Sequence, residues 1–239
     1  MTDTAIVLAG GFGTRLRDVV KDVPKPMANV AGRPFLEYIF KYLKAYGVKN
    51  VLLSIGYLHE VIEDHFLDSY DGIQISYFVE DTPLGTGGAI KAGIERLSEI
   101  GLSTKEVIVL NGDTFFDVDL KALSEYHTEK GSDFTLALRP MIKSDRFGTV
   151  DISESGRITG FKEKTYFEYG LINGGVYLLN TNLLRNTNLT GSFSLEKDFL
   201  EKYQNSCALY GLVFQEYFID IGIPLEYERA QYDFLDYKY

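Results

Sequence analysis

Cysteine is almost missing from this 239-residue chain: the single Cys207 excludes an internal disulfide and a cysteine-built zinc site, and nothing argues for redox chemistry. Histidine is nearly as scarce. His59 and His65 are six positions apart and off one helical face, and His127 stands alone, so neither a zinc site nor a histidine-based triad follows. No apolar run approaches a membrane span, and the first residues lack the charged-then-apolar order of a secretory signal. These absences point to the cytoplasm and away from a membrane. No Pro/Gly/Ser-rich linker divides the chain and no internal repeat is visible, so residues 1–239, 45% of them apolar, are expected to form one domain with a substantial core.

Basic charge is in deficit overall but concentrated locally. The net charge of −10 argues against a nucleic-acid surface, which needs an extended basic footprint. Residues 1–49 nevertheless carry eight Lys/Arg against four Asp/Glu, while the remainder carries 16 against 30. An anionic small molecule with a divalent cation suits that asymmetry better than DNA does.

The basic stretch holds the most informative motif. Ala5-Ile6-Val7-Leu8-Ala9 reads as a buried strand running into Gly10-Gly11-Phe12-Gly13-Thr14-Arg15-Leu16. Glycines at 10, 11 and 13 let backbone N–H groups converge on phosphate oxygens; Arg15 adds a fork of donors, and Lys25 a point charge between Pro24 and Pro26. It is not a Walker A loop, because Thr14-Arg15 follows the last glycine where Lys-Ser/Thr is required. Nor is it a dinucleotide fingerprint, since Leu16 stands where the third glycine belongs and no acidic residue follows at the ribose spacing.

Farther on, a helix is expected from Pro34 to Ala45, with strands at Val51–Ile55, Ile73–Val79 and Val107–Leu110 alternating with helices at Leu58–Phe66 and Gly87–Leu97. That rhythm is the pattern of a parallel sheet covered on both faces. After residue 133 strands dominate, at Phe134–Arg139, Thr149–Ile152, Ile158–Lys162 and Gly174–Leu179, with helices at Leu195–Tyr203 and Leu225–Tyr237. The expected fold is therefore α/β, a Rossmann-like, mostly parallel mixed sheet with helices on both faces, in a single domain. Residues 1–130 are read as a nucleotide-binding half and residues 131–239 as a mixed-sheet half that completes the site.

Two aspartates stand where carboxylates are functional. Asp113 follows the apolar strand Val107–Leu110, where open α/β sheets present ligand-binding residues, and Asp220 interrupts an apolar run in Phe218-Ile219-Asp220-Ile221-Gly222-Ile223-Pro224. Magnesium takes one or two protein carboxylates and completes its shell with phosphate oxygens and water, so this pair suffices. A lone Asp after a strand is usually a turn or cap residue. Asp119, ahead of Leu120-Lys121-Ala122-Leu123, is assigned to that structural role as a helix N-cap, although Asp117-Val118-Asp119 also matches the DxD pattern of many glycosyltransferases.

Together, Gly10-Gly11-Phe12-Gly13-Thr14-Arg15-Leu16, Pro24-Lys25-Pro26, Asn111-Gly112-Asp113 and Asp220-Ile221-Gly222-Ile223-Pro224 resemble the motifs of the sugar-1-phosphate nucleotidyltransferases, the nucleotide-sugar pyrophosphorylases. The resemblance runs from Leu8 to Pro224, without the hexapeptide-repeat tail that some relatives carry. It implies magnesium on Asp113 and Asp220, with Arg15, Lys25, Asp113 and Asp220 as the catalytic set. Nucleotide binding falls to Leu8, Ala9, Gly10, Gly11, Gly13 and Thr14 and to the segment containing Glu80, Pro83, Gly85 and Thr86. Phe161-Lys162-Glu163-Lys164 and Asn173-Gly174-Gly175-Val176-Tyr177 resemble the family's sugar-phosphate segments, which assigns Glu163, Lys164, Asn173 and Gly112 to that substrate.

A carboxylate at Glu80 accepts from both N1–H and the exocyclic amine of guanine, which favours GTP; the alternative leaves Glu80 solvated and the base read by the backbone of Gly10 and Gly85. The compact length, Glu80–Ala89 and Asn111–Leu120 look most like the D-glycero-α-D-manno-heptose 1-phosphate guanylyltransferases of bacterial surface-polysaccharide pathways. Other sugar 1-phosphates and other nucleotides, a glycosyltransferase using Asp117 and Asp119, and a silent nucleotide-sugar-binding subunit are the alternatives. Tyr227, Tyr232, Tyr237 and Tyr239 are expected to pack on the core or on a second subunit, which would make a homodimer.

Overall fold

Strand β1 (Thr4–Ala9) turns Ala5, Val7 and Ala9 to one face and Ile6 to the other, and all four are buried. A strand apolar on both faces belongs inside a sheet with helices above and below. In the computed structural model, which describes residues 1–11, 13, 16, 19–162 and 164–239, that is its position. After the short ribbon β2 (Asn29–Val30) and β3 (Arg33–Pro34) come α1 (Phe35–Ala45), β4 (Asn50–Ile55), α2 (His59–Phe66), β5 (Ser69–Tyr70), β6 (Ile73–Val79), α3 (Gly85–Glu99) and β7 (Glu106–Asn111). β1 lies between β7 and β4, with β6 outside β4, all four parallel. Their C-terminal ends, at Ala9, Ile55, Val79 and Asn111, therefore share one edge.

The second half joins the same sheet. β8 (Thr114–Phe116), α4 (Leu120–Glu129), β9 (Phe134–Ser144), β10 (Thr149–Ile152), β11 (Ile158–Lys162), β12 (Phe167–Asn180) and α5 (Thr181–Arg185) follow. A π-helical turn at Leu195–Leu200 then runs into α6 (Glu201–Tyr203), and the chain continues through β13 (Leu209–Val213), β14 (Phe218–Asp220) and α7 (Pro224–Asp233). β12 is the hinge strand. Its last residues pair antiparallel with β7, β9 runs along its other edge, and the register shifts between Asn173 and Tyr177. Among the described residues ten strands share this sheet. One face packs against α1, α2, α4 and α7, the other against α3, α5 and the π-helical turn.

The expected α/β class and mostly parallel mixed sheet describe this architecture, and several boundaries shift. β9 and β12 are longer than expected, because as partners they continue as a ribbon past the core. α3 begins at Gly85 rather than Gly87, its glycine-rich first turn held from outside by the Phe193 carbonyl, which accepts from Gly87 N at 3.1 Å and Gly88 N at 3.3 Å. α7 stops at Asp233 rather than Tyr237, since the chain turns back to stack Tyr237 on Phe234 at 4.8 Å and set Tyr239 against Tyr42 at 5.6 Å. Tyr227 bonds the Asn29 carbonyl, while Tyr232 is 77% exposed.

Asp119 caps α4, its Oδ1 accepting from Lys121 N at 2.9 Å and Ala122 N at 3.1 Å. Asp117 is held by Lys238 and the Tyr239 hydroxyl, so the Asp-x-Asp pair is committed to the fold. Asp119→Ala should cost about 0.5–2 kcal/mol of stability by losing the cap, with ligand binding untouched. Urea denaturation with an unchanged midpoint would remove the capping role; lost ligand binding in a folded variant would reopen the glycosyltransferase alternative.

Candidate active site

Asp113 leaves the C-terminal end of β7, and β14 pairs antiparallel with β8 so that Asp220 faces Thr114. Ile221 N donates to the Asp113 carbonyl at 3.1 Å, locking the two acidic segments together. Between the carboxylates lies Lys25, carried on a single 3-10 turn (Lys25–Met27) that Pro24 and Pro26 restrict. Its Nζ donates to Asp113 Oδ2 at 2.6 Å and to Asp220 Oδ1 at 3.3 Å. The Lys25 side chain is only 12% exposed, against 38% and 21% for Asp113 and Asp220, so this pairing is screened far less than a surface salt bridge.

Gly222 belongs to the same construction. Its N–H donates to Asp220 Oδ1 at 2.8 Å, and a Cβ there would stand 2.6 Å from Lys25 Nζ and 2.7 Å from Asp220 Oδ1. The glycine of the Asp-Ile-Gly-Ile-Pro segment thus leaves the ion pair its room, since a Cβ there would push Lys25 Nζ or Asp220 Oδ1 aside. Asp220 Oδ2 accepts from Arg146 at 3.1 Å; Arg146 also pairs with Glu226 at 3.5 Å and lies 5.1 Å from the Phe147 ring centre. Nothing in the Lys143–Gly148 segment marked Arg146 in advance.

Two carboxylates gathered around one cation are the donor set for magnesium, which needs hard oxygens and leaves most of its shell to phosphate and water. Among the described residues no cluster of three or more His, Cys, Asp or Glu side chains forms an all-protein cage. The residues fit a cation that arrives with a phosphate.

Three cavities meet at Asp113. The first, about 540 Å³, is lined by Leu8, Ala9, Gly11 and Gly13 together with Lys25 and Gly222. The second, about 720 Å³, lies over Leu8, Gly10, Gly11, Glu80, Pro83, Gly85 and Thr86. Glu80, half-buried at the cavity wall, is held by two donors: Oε1 accepts from Ser54 Oγ at 2.8 Å and Oε2 from Leu84 N at 3.0 Å. Gly10 lies against it, where a Cβ would come within 2.5 Å of Oε1.

The third cavity, about 820 Å³, runs from Lys25, Asp113 and Asp220 to Lys164, Asn173 and Glu196. Asn173 reaches it through the register shift in β12. Its Nδ2 donates to Tyr177 Oη and Glu196 Oε1, both at 2.9 Å, while its Oδ1 accepts from Gly175 N at 3.0 Å. Burial, joined by the charge of Glu196, pushes the Tyr177 hydroxyl well above the ordinary phenol range, so it serves as a neutral hydrogen-bonding group. Glu196 was absent from the sequence expectations, because Leu195-Glu196-Lys197 reads as the polar face of a helix.

Of the residues singled out from sequence, Gly112 lines none of these cavities; its N–H is committed to the Leu8 carbonyl at 2.8 Å, tying β7 to β1. Thr14, Arg15 and Glu163 lie outside the described residues.

Against known proteins, the nucleotidyl transferase family model matches residues 4–236. The D-glycero-alpha-D-manno-heptose 1-phosphate guanylyltransferase of Aneurinibacillus thermoaerophilus is 48% identical over 233 residues, 98% of this chain and 99% of that protein. The protein of the same name from Campylobacter jejuni is 45% identical, over 93% of this chain and 96% of its own. HddC from Yersinia pseudotuberculosis, solved in complex with GMP-PN, has a TM-score of 0.83 and 33% identity over 97% of this chain and 99% of its own.

Replacing Lys25 by Met leaves the two carboxylates facing each other with no cation between them, Arg146 remaining only on the far oxygen of Asp220. Because both keep some access to water, the expected loss is about 1–3 kcal/mol, partly restored by millimolar Mg²⁺ or Mn²⁺. Mn²⁺ should bind the free variant more tightly than the free wild type, read by electron paramagnetic resonance. Equal or weaker Mn²⁺ binding would show that Lys25 and the metal do not compete for these carboxylates.

Proposed function

Because the chain belongs to the nucleotidyl transferase family, we infer that it is a sugar-1-phosphate guanylyltransferase, joining GMP from GTP to D-glycero-α-D-manno-heptose 1-phosphate with release of pyrophosphate. The strongest support is the position of the Lys25–Asp113–Asp220 cluster where the cavity beside Glu80 meets the cavity beside Asn173. Two relatives bearing that activity in their names, each aligned over more than nine-tenths of this chain, support the choice of nucleotide and sugar.

A phosphate oxygen of the sugar 1-phosphate attacks the α-phosphorus of GTP; that P–O bond forms as the bond from the α-phosphorus to the pyrophosphate oxygen breaks on the opposite side. No protein nucleophile is needed, so the chain's contribution is positioning and charge neutralisation. Residues 1–130 hold the nucleotide and residues 131–239 the sugar phosphate. Glu80 accepts from the guanine N1–H and exocyclic amine, with Leu8, Gly10, Gly11, Pro83, Gly85 and Thr86 walling the base and ribose. Ala9, Gly13, Thr14 and Arg15 carry the triphosphate, and Lys25 turns from the carboxylates to the reacting phosphates. Lys164 draws in the nucleophile, while Asn173 and Glu163 take sugar hydroxyls. Asp113 and Asp220 would hold Mg²⁺, which when bound neutralises phosphate charge in the transition state.

Pyrophosphate release should need Mg²⁺, GTP and the heptose 1-phosphate together; product formed from a finished nucleotide sugar and an alcohol, without pyrophosphate, would establish a glycosyltransferase instead. Asp113→Asn and Asp220→Asn should abolish metal-dependent turnover, since an amide keeps the shape and loses the charge. Ordinary Mg²⁺ dependence in either variant would remove that aspartate from the metal site.

Glu80→Gln should lower the preference for GTP over UTP, dTTP and CTP by about tenfold to a hundredfold, the scale of one lost buried hydrogen-bond partner. A wild type preferring UTP or dTTP would end the guanylyltransferase reading. An unaltered preference in the variant would move base recognition to the Gly10 and Gly85 backbone.

A further inference from the structure

Ser54 is a fully buried hydroxyl within the otherwise apolar run Val51–Ile55 of β4. Burying a hydroxyl costs free energy unless it finds a partner. Its partner is Glu80, the carboxylate beside the second cavity, whose Oε1 accepts from Ser54 Oγ at 2.8 Å. The opposite oxygen takes Leu84 N at 3.0 Å, from the turn that enters α3, and the Gly10 backbone closes on Oε1. Among the described residues no Lys, Arg or His forms an ion pair with Glu80; its charge is met by neutral donors.

A carboxylate offers about four acceptor positions. The two donors occupy one on each oxygen and fix the torsion of the group, leaving a further acceptor direction on each. Without the hydroxyl, Leu84 N alone would hold Oε2, and the carboxylate could turn about that contact. A bidentate partner needs both oxygens presented at once. We propose that Ser54 is a positioning residue for nucleobase selection: acting through Glu80, it holds the carboxylate in the orientation that accepts two donors from one purine edge. The proposal rests on the guanine-reading role of Glu80, and the same hydrogen bond offsets the cost of burying the hydroxyl.

GTP and ITP separate these effects, because ITP keeps the ring N1–H and lacks the exocyclic amine. The GTP/ITP ratio of kcat/KM, measured with one sugar 1-phosphate, reports the second hydrogen bond. Ser54→Ala should reduce that ratio about fivefold to tenfold, the scale of one weakened hydrogen bond, mainly through KM for GTP, with kcat on GTP within about twofold and the melting temperature close to wild type. Ser54→Cys, nearly isosteric with a weak S–H donor, should fall between. In a Glu80→Ala background, where the acceptor of the Ser54 hydroxyl is gone, Ser54→Ala should change the ratio no further, since a residue acting only through another shows no effect once that partner is removed.

A Ser54→Ala enzyme that keeps the wild-type ratio while Glu80→Gln loses it would overturn the positioning role and leave the Glu80 reading standing. A ratio unmoved in both variants would overturn the Glu80 reading and this proposal with it. Equal losses with GTP and ITP, tracking a lowered melting temperature, would make Ser54 a packing residue only.

Discussion

The site depends on one ammonium group being shared by two carboxylates. Lys25 is separated from Asp113 by 88 positions and from Asp220 by 195, so three distant segments must meet within hydrogen-bonding distance. Each is confined separately: Lys25 by a proline-bounded turn, Asp113 by the end of β7, and Asp220 by the ladder between β14 and β8. Charge balance keeps the arrangement together while no substrate is bound. Arg146 extends it by holding the far oxygen of Asp220, so that among the described residues Asp220 is paired with two cations and Asp113 with one.

That asymmetry suits a reaction whose charge is carried by the substrates. Preorganised cations and carboxylates act most strongly where water is reduced and no reorganisation is required. The cation cluster stands where the cavities adjoin, so a phosphate entering from either side meets it. The chain's excess negative charge does not oppose this, because at physiological salt distant exposed charges are screened over about 8 Å, whereas Lys25 and Arg146 are partly buried beside the site.

Much of this was legible in the residues themselves. Apolar runs stopped by glycine or by Asn-Gly-Asp identify parallel strands and place their functional ends, because a short run apolar on both faces is stable only where helices cover the sheet above and below. Asp119 reads correctly as a cap because capping is local. What escaped detection depends on long-range pairing. β8 and β14 are three residues each and carry no periodicity, yet they bring Asp220 beside Asp113. The shift in β12 beside Asn173 lies within its ladder with β9, between Asn173 and Tyr177, and which strand β12 pairs with cannot be read from Asn173-Gly174-Gly175 alone. Ser54 and Arg146 were invisible for the same reason, as one serine in a strand and one arginine in a loop are unexceptional until their partners are known.

The pairing of β14 with β8 also sets an order of assembly. The parallel core from β1 to β7 can gather from the first half of the chain, but the edge of β7 away from β1 stays open until β12 is made. Asp113 lacks its companion carboxylate until residues 218–220 arrive, and Phe234 and Tyr237, which pack on Phe115 of β8, arrive later still. During synthesis the N-terminal portion emerges first, so a nascent chain would hold the parallel strands well before it had a complete charge cluster. Chemical competence would then come as one of the last events of folding, and a ribosome stalled in the final strands would display a nearly complete sheet unable to turn over its substrates.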